Sequence, residues 1–156
     1  MKLTEYDIEL NENRLPVLKE KKMDEYEKLD SIRTAKHVDM VLRDVYNADK
    51  KAEEHVWILA FNTANELIGV FDACHGTVNY SMISMREIYM RLLLCGAVRF
   101  AIAHNHPSGD TTPSKQDIEF VNDMLKTSEI MNIEMNDNII IGDDYFSFRE
   151  NGFIKK

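Results

Sequence analysis

The sequence contains only two cysteines, Cys74 and Cys95, and they are too far apart to form a C-x-x-C pair. A disulfide-stapled scaffold needs several cysteines, and cysteine-rich zinc fingers need closely spaced pairs. Both classes of protein are therefore excluded. A transition-metal site in this chain must rely on histidine and carboxylate ligands instead.

Long hydrophobic stretches are also lacking. The longest uninterrupted apolar run, Val56–Phe61, has six residues, whereas a membrane-spanning helix needs about 20. The first residues, Met1–Asp7, lack the apolar core of a signal peptide. We therefore expect a cytoplasmic protein with no membrane partner.

The chain has no excess of basic residues. It carries 27 acidic and 19 basic side chains, which give a formal net charge of -8. Binding to the phosphates of duplex DNA requires a basic surface. We therefore expect no direct contact with duplex DNA.

A length of 156 residues suits one domain. Residues 1–34 are dense in charges of both signs and weakly patterned, so we predict a charged N-terminal arm there. This arm is either solvated and only partly packed, or it wraps a partner subunit in a homodimer. Residues 35–156 form the predicted domain.

From residue 35 onward, the spacing of apolar residues predicts alternating helices and strands. Helices are expected at 35–47, at 84–95 and from 114 onward. Strands are expected at 55–61, 67–73, 98–103, 133–135, 138–141 and 145–148. The first two strands should form a hairpin around a turn at 62–65, with a break at 75–77. The pattern is typical of an α/β protein with a mixed sheet flanked by helices.

The most informative segment follows the strand predicted at 98–103. His104 and His106 are spaced i, i+2, which places both side chains on one face of a strand end. Asp117 falls on the first turn of the next helix, after a loop that Pro107, Gly109 and Pro113 allow to fold back. Two imidazole nitrogens and one carboxylate oxygen leave the fourth tetrahedral position open, as in a catalytic zinc site.

Each of these residues also has an ordinary structural role. Ser114 and Asp117 stand at positions where serine and aspartate commonly cap a helix. A single histidine at a strand end is usually only hydrogen-bonded. The combination of His-x-His-Pro, six residues and Ser-x-x-Asp indicates a metal site.

This combination resembles the motif of the JAMM (MPN+) metalloproteases, and His104–Gly109 is similar to its RadC branch. Further matches are Gly76–Asn79, Arg86–Ile88, Ile139–Gly142, Tyr145–Phe148 and Gly152. The resemblance covers residues 35–156. It implies a cytidine-deaminase-like, three-layer α/β fold that binds one zinc ion.

The resemblance also implies a role for each motif residue. The zinc ligands would be His104, His106 and Asp117. Ser114 would donate a hydrogen bond to the oxyanion that develops on the attacked carbonyl, and a glutamate would act as general base.

Two glutamates compete for the role of general base. Glu54, directly before the strand at 55–61, matches the upstream position of the JAMM glutamate. Glu87 is the rival because Arg86-Glu87 is also a RadC-type feature. The capping box Ser84-x-x-Glu87 already explains Glu87, so Glu54 is favoured.

The predicted function is that of a zinc-dependent metallopeptidase, which hydrolyses a peptide or isopeptide bond in a peptide or protein substrate. The alternative is a non-catalytic, zinc-binding RadC-like module with an accessory role in DNA repair or mobile-element biology. The resemblance implies a helix-hairpin-helix region in full-length RadC proteins, and we expect these 156 residues to leave no room for one. A cytidine deaminase is disfavoured because His-x-Glu and Pro-Cys-x-x-Cys motifs are missing.

Overall fold

A computed structural model describes residues 1–76 and 83–155, which contain seven strands, three α-helices and a short 3-10 helix at Ala48–Lys50. The strands are β1 (Lys2–Leu10), β2 (Pro16–Glu25), β3 (Glu54–Phe61), β4 (Leu67–Gly76), β5 (Arg99–Asn105), β6 (Glu134–Ile141) and β7 (Tyr145–Ser147). The helices are α1 (Ala35–Tyr46), α2 (Met85–Leu94) and α3 (Lys115–Met131). Thr77, Val78 and Asn79, which contribute to the resemblance, lie outside the described residues.

All seven strands belong to one mixed sheet with the order β2-β1-β4-β3-β5-β6-β7. The pairs β1/β4 and β5/β6 are parallel, and the other neighbours are antiparallel. The predicted hairpin of β3 and β4 is present. The α/β fold class with a mixed sheet is therefore confirmed.

The two faces of the sheet bury different helices. Along β3, Val56 and Ile58 belong to a core shared with α2 and α3, whereas Trp57 and Leu59 belong to a core shared with α1. Side chains alternate between the faces of a strand, so each buried strand feeds both cores. The result is a three-layer arrangement, with α1 on one side of the sheet and α2 and α3 on the other.

The helix starts follow the predicted capping signals. The Thr34 hydroxyl accepts a hydrogen bond from the His37 amide at the start of α1. Ser84 and Ser114 open α2 and α3, each with a complete capping box. A capping side chain accepts hydrogen bonds from the first amides of a helix, which have no partner within the helix. Because the capping residues are neighbours in the sequence, these three helix starts could be predicted from it.

Three strand predictions differ from the structure. β4 continues to Gly76 instead of breaking at 75–77, and the strands expected at 133–135 and 138–141 are a single strand, β6. Residues 2–25 form a hairpin, β1/β2, that joins the sheet beside β4, although the sequence predicted no strand there. Most of β2 is exposed, so it lacks the apolar alternation that identifies a half-buried strand. The division of the chain at residue 34 stays a prediction.

None of the described helices combines the length and the apolar character that crossing a bilayer requires.

Candidate metal centre

The end of β5 brings the two motif histidines together. His104 is buried within the strand, and the amide of His106, just beyond it, donates to the carbonyl of Ile141 over 2.8 Å. That bond continues the alignment of β5 with β6, so both imidazoles leave the sheet on the face covered by α2 and α3. Their Nε2 atoms are 3.0 Å apart.

The N-terminal turn of α3 supplies the carboxylate. Asp117 is 3% exposed, and its Oδ2 accepts a hydrogen bond from the Ser114 amide over 2.6 Å. Its oxygens lie 3.4 Å from Nε2 of His104 and 3.8 Å from Nε2 of His106. The capping box that starts the helix therefore also aims this carboxylate at the histidines.

These three side chains fit a tetrahedral metal ion. Ligand atoms bound at 2.0–2.2 Å in a tetrahedron lie about 3.3–3.6 Å from one another, close to the 3.0, 3.4 and 3.8 Å found here. Among the described His, Cys, Asp and Glu side chains, His104, His106 and Asp117 form the one group of three or more that is compact enough to hold a metal.

The tautomer of His106 suits metal binding. Its Nδ1 lies 2.7 Å from the carbonyl oxygen of Asp110, which can only accept a hydrogen bond. Nδ1 therefore carries the proton, and the Nε2 lone pair is directed at the other two ligands. Backbone carbonyls commonly orient metal-binding histidines in this way.

Burial and hydrogen bonding favour the metal-binding forms of His104 and Asp117. Burial lowers the pKa of His104, although the hydrogen bond and charge of Asp117 act in the opposite direction. For Asp117, burial raises the pKa, but hydrogen bonds with His104 and Ser114 act against it, and the pKa is lowered. A neutral imidazole and an ionised carboxylate are the forms that bind metal.

The loop after His106 is braced from the opposite layer. The carbonyl of Gly109 accepts a hydrogen bond from the amide of Asp143 over 2.8 Å. Arg43 of α1 donates to the carbonyls of Gly142 and Asp144, each over 2.9 Å. A Cβ at position 142 would lie 2.2 Å from the carbonyl oxygen of Gly109, so only glycine permits this approach.

Glu54 lies beside the three ligands. Val56 pairs with His104 in the antiparallel β3/β5 register, so Glu54, two residues earlier, emerges on the same face of the sheet. Burial raises the pKa of Glu54 to about 7, with the charge of His106 lowering it and that of Asp117 raising it. The structure thus brings this predicted site residue to the ligands.

The other two candidates have different surroundings. The Glu87 carboxylate accepts a hydrogen bond from the Ser84 amide over 3.3 Å, so Glu87 is engaged in starting α2. Ser114 accepts a hydrogen bond from the Asp117 amide over 3.1 Å through its Oγ, which leaves the hydroxyl hydrogen available to a substrate. The choice between Glu54 and Glu87 as general base stays a prediction.

Sequence reasoning missed Asn105, the residue between the two histidines. Its side chain is 1% exposed and bonds to β3: Oδ1 accepts from the His55 amide over 2.7 Å, and Nδ2 donates to the Glu53 carbonyl over 3.0 Å. The strand was predicted only at 98–103, which placed Asn105 in the following loop, whereas the observed strand continues to Asn105. Asparagine is uncommon in strands, so nothing in the sequence favoured extending the strand to this residue.

Sequence comparison with known proteins identifies the family of this chain. The sequence profile of the RadC-like JAB domain matches residues 32–153. A UPF0758 protein of Carboxydothermus hydrogenoformans is 42% identical over 108 residues, which is 66% of this chain and 48% of the relative. One from Clostridium acetobutylicum is 37% identical over 103 residues, covering 65% of this chain and 45% of the relative.

The structure thus combines a mixed sheet between two layers of helices with a His-His-Asp group at the end of β5, and the sequence match identifies the class of protein. The chain belongs to the RadC-like JAB domain family. It spans about half the length of the curated relatives that it matches.

Proposed function

We propose that this chain is a zinc-dependent metallopeptidase that hydrolyses a peptide or isopeptide bond in a protein or peptide substrate. The observation that carries the proposal is the convergence of His104, His106 and Asp117, with Glu54 on the same face of the sheet. Three protein ligands leave a coordination position for water or substrate, whereas a structural zinc site uses four.

Zinc held by these three ligands would lower the pKa of a coordinated water and polarise the scissile carbonyl. Glu54 takes a proton from the attacking water as the new C–O bond forms, and it returns that proton to the leaving nitrogen as the C–N bond breaks. Ser114 donates its hydroxyl hydrogen to the oxyanion that develops on the carbonyl. The second proton of the water stays with the carboxylic acid product, so the step balances without an additional reactant.

Burial raises the pKa of Glu54 to about 7 in the chain without a metal. A bound cation would lower that value, since nearby positive charge favours the ionised carboxylate. The proposed role of Glu54 as general base therefore rests on its position on the same face of the sheet as His104.

The partners of the chain remain proposals. A peptide or protein substrate follows from the proposed chemistry, and the net charge of -8 argues against direct contact with duplex DNA. Association of two copies of the chain is also a proposal. The alternative function, a zinc-binding module without catalysis, is distinguished from a peptidase by the experiment below.

The decisive experiment measures zinc content and then hydrolysis of a panel of peptides and isopeptide-linked substrates, with and without a chelator. We expect one zinc per chain and chelator-sensitive cleavage. Glu54→Gln should keep zinc and lose hydrolysis by at least about 100-fold, the usual contribution of a general base.

Glu53→Gln is the matched control because it makes the same change at the neighbouring, exposed carboxylate and should leave hydrolysis intact. Full activity of Glu54→Gln would refute the assignment of Glu54. Stoichiometric zinc without chelator-sensitive cleavage of any substrate would favour the non-catalytic module.

A further inference from the structure

Asn105 replaces the backbone pairing between β3 and β5 at the metal end of the sheet. The paired residues of these strands run from Phe61/Arg99 to Val56/His104. Beyond that pair, the Asn105 side chain bonds to β3, accepting from the His55 amide and donating to the Glu53 carbonyl. Near the candidate metal ligands, hydrogen bonds from the Asn105 side chain therefore replace the backbone hydrogen bonds between β3 and β5.

The two bonded peptide groups flank Glu54 in the chain. One belongs to the residue before it and the other to the residue after it, so the backbone of Glu54 is held on both sides by a single amide. The orientation of that amide is fixed, because a backbone N–H can only donate and a carbonyl can only accept. Its near-complete burial makes both bonds costly to lose.

Replacements of the same size lose one or both of these bonds. Ionised aspartate has only acceptors and would face the Glu53 carbonyl with a like partial charge, and leucine has the volume but neither donor nor acceptor. Asn105 is also covalently linked to His104 and His106. The same residue therefore connects the end of β5, which carries His104, to the backbone on both sides of Glu54.

We infer that Asn105 is a positioning residue that holds Glu54 at its working distance from the metal ligands. The inference rests on the proposed function, in which Glu54 is the general base. Asn105 does not touch the reacting atoms, and its effect passes through the backbone of β3.

The test compares Asn105→Leu and Asn105→Asp with the wild-type full chain, each with one equivalent of zinc. Both variants keep the volume of the side chain and remove at least the bond to Glu53. We measure zinc content, amide hydrogen exchange at His55, and kcat and KM for the cleaved substrate.

In Asn105→Leu, exchange at His55 should accelerate on the order of tenfold, the effect of losing one buried hydrogen bond. In both variants kcat should fall by about 100-fold, as for a catalytic group displaced by about 1 Å. Zinc content and KM should stay within about twofold of wild type, because neither ligands nor substrate contacts change.

Asn62→Ala provides the matched control. Asn62 lies at the far end of the same hairpin, and its Oδ1 also accepts hydrogen bonds from two backbone amides, of Ala64 and Glu66. Its loss should lower stability without changing kcat, which separates positioning from general destabilisation.

Three results would overturn the inference: unchanged exchange at His55 in Asn105→Leu, an unchanged kcat in both variants, or loss of zinc from both. If the wild type cleaves no substrate, the proposed function fails. In that case faster exchange at His55 with retained zinc still supports the role of Asn105 in holding β3, and unchanged exchange overturns it.

Discussion

Asp117 combines two roles that are usually separate. One carboxylate oxygen accepts the Ser114 amide of the capping box, and the other lies 3.4 Å from Nε2 of His104. Its local position explains why sequence alone reads it as an ordinary helix cap. The structure shows that capping fixes the rotamer in which it faces the histidines.

The two roles separate on substitution. Asp117→Asn keeps an oxygen that can accept from Ser114, so α3 should keep its start, but zinc affinity should fall by at least about 100-fold because a charged ligand is lost. Zinc titration and thermal melting check this. Glu87→Gln makes the same change in the capping box of α2 and should leave zinc affinity unchanged. Retained affinity in Asp117→Asn would remove it from the ligand set.

Asp137, in the middle of β6, makes folding stability depend on pH. Burial raises its pKa above 3.8, even though Ser147 and the amides of Arg149 and Asn138 donate to it. The folded chain therefore binds this proton more tightly than the unfolded chain, and stability falls as pH rises from about 4 through the folded-state pKa.

Asp137→Asn should remove that dependence. An asparagine still accepts from the backbone amides and can donate to Ser147 Oγ, so the fold is retained. Denaturant unfolding at pH values from 4 to 7 should show the variant gaining stability relative to wild type as pH increases. A constant difference across that range would contradict the raised pKa.

At the level of elements, the turn between β6 and β7 braces the metal-binding loop. Gly142→Ala should shift that turn, because its Cβ would overlap the Gly109 carbonyl, at a cost of about 1–3 kcal/mol. Zinc affinity should fall about tenfold, as when a metal ligand loses the surrounding contacts that orient it.

Gly96→Ala is the control for Gly142→Ala. Its φ of +69° also disfavours alanine, but nothing lies within 4 Å of the new Cβ. It should lose about 1–2 kcal/mol of stability without affecting zinc affinity.

Elements with a local signal could be predicted from the sequence. The capping boxes of α2 and α3 and the apolar run of β5 depend on residues close together in the chain, and all three are present. The β1/β2 hairpin was missed because solvent reaches most of β2, so no apolar pattern marks it. Its place beside β4 depends on pairing with a distant part of the chain.

The residues of the candidate site also fall into those with a local sequence signal and those without one. His104, His106 and Asp117 come from one short segment, and their spacing predicted a group that the structure brings together. The roles of Glu54 and Asn105 depend on the register between β3 and β5, whose partners are about 50 residues apart. Nothing in the local sequence encodes that register, so contacts of this kind need a structure.

At the level of the whole molecule, the three candidate ligands connect two layers. His104 lies on β5, His106 directly follows that strand, and Asp117 lies on α3, so a bound metal would tie the helix to the strand end. Saturation at about 100 times the Kd adds about 2.7 kcal/mol, which corresponds to about 5–10 °C in Tm for a domain of this size. Thermal melts with zinc and with excess chelator measure the difference. An equal shift in His106→Ala would place the metal elsewhere.

The strand at the outer edge of the sheet has a consequence for how the chain behaves at high concentration. β2 is the first strand in the sheet order, and no strand in the described part of the chain pairs with its outer edge. The hairpin that it forms with β1 exposes Leu10, Leu15 and Met23. An exposed edge strand of this kind can form backbone hydrogen bonds with strands of other copies, which is how fibrils grow. Lys19–Lys22 lies on that strand, and its crowded charges oppose the addition of another copy. We therefore expect these charges to protect the outer edge of the N-terminal hairpin from pairing with other copies of the chain.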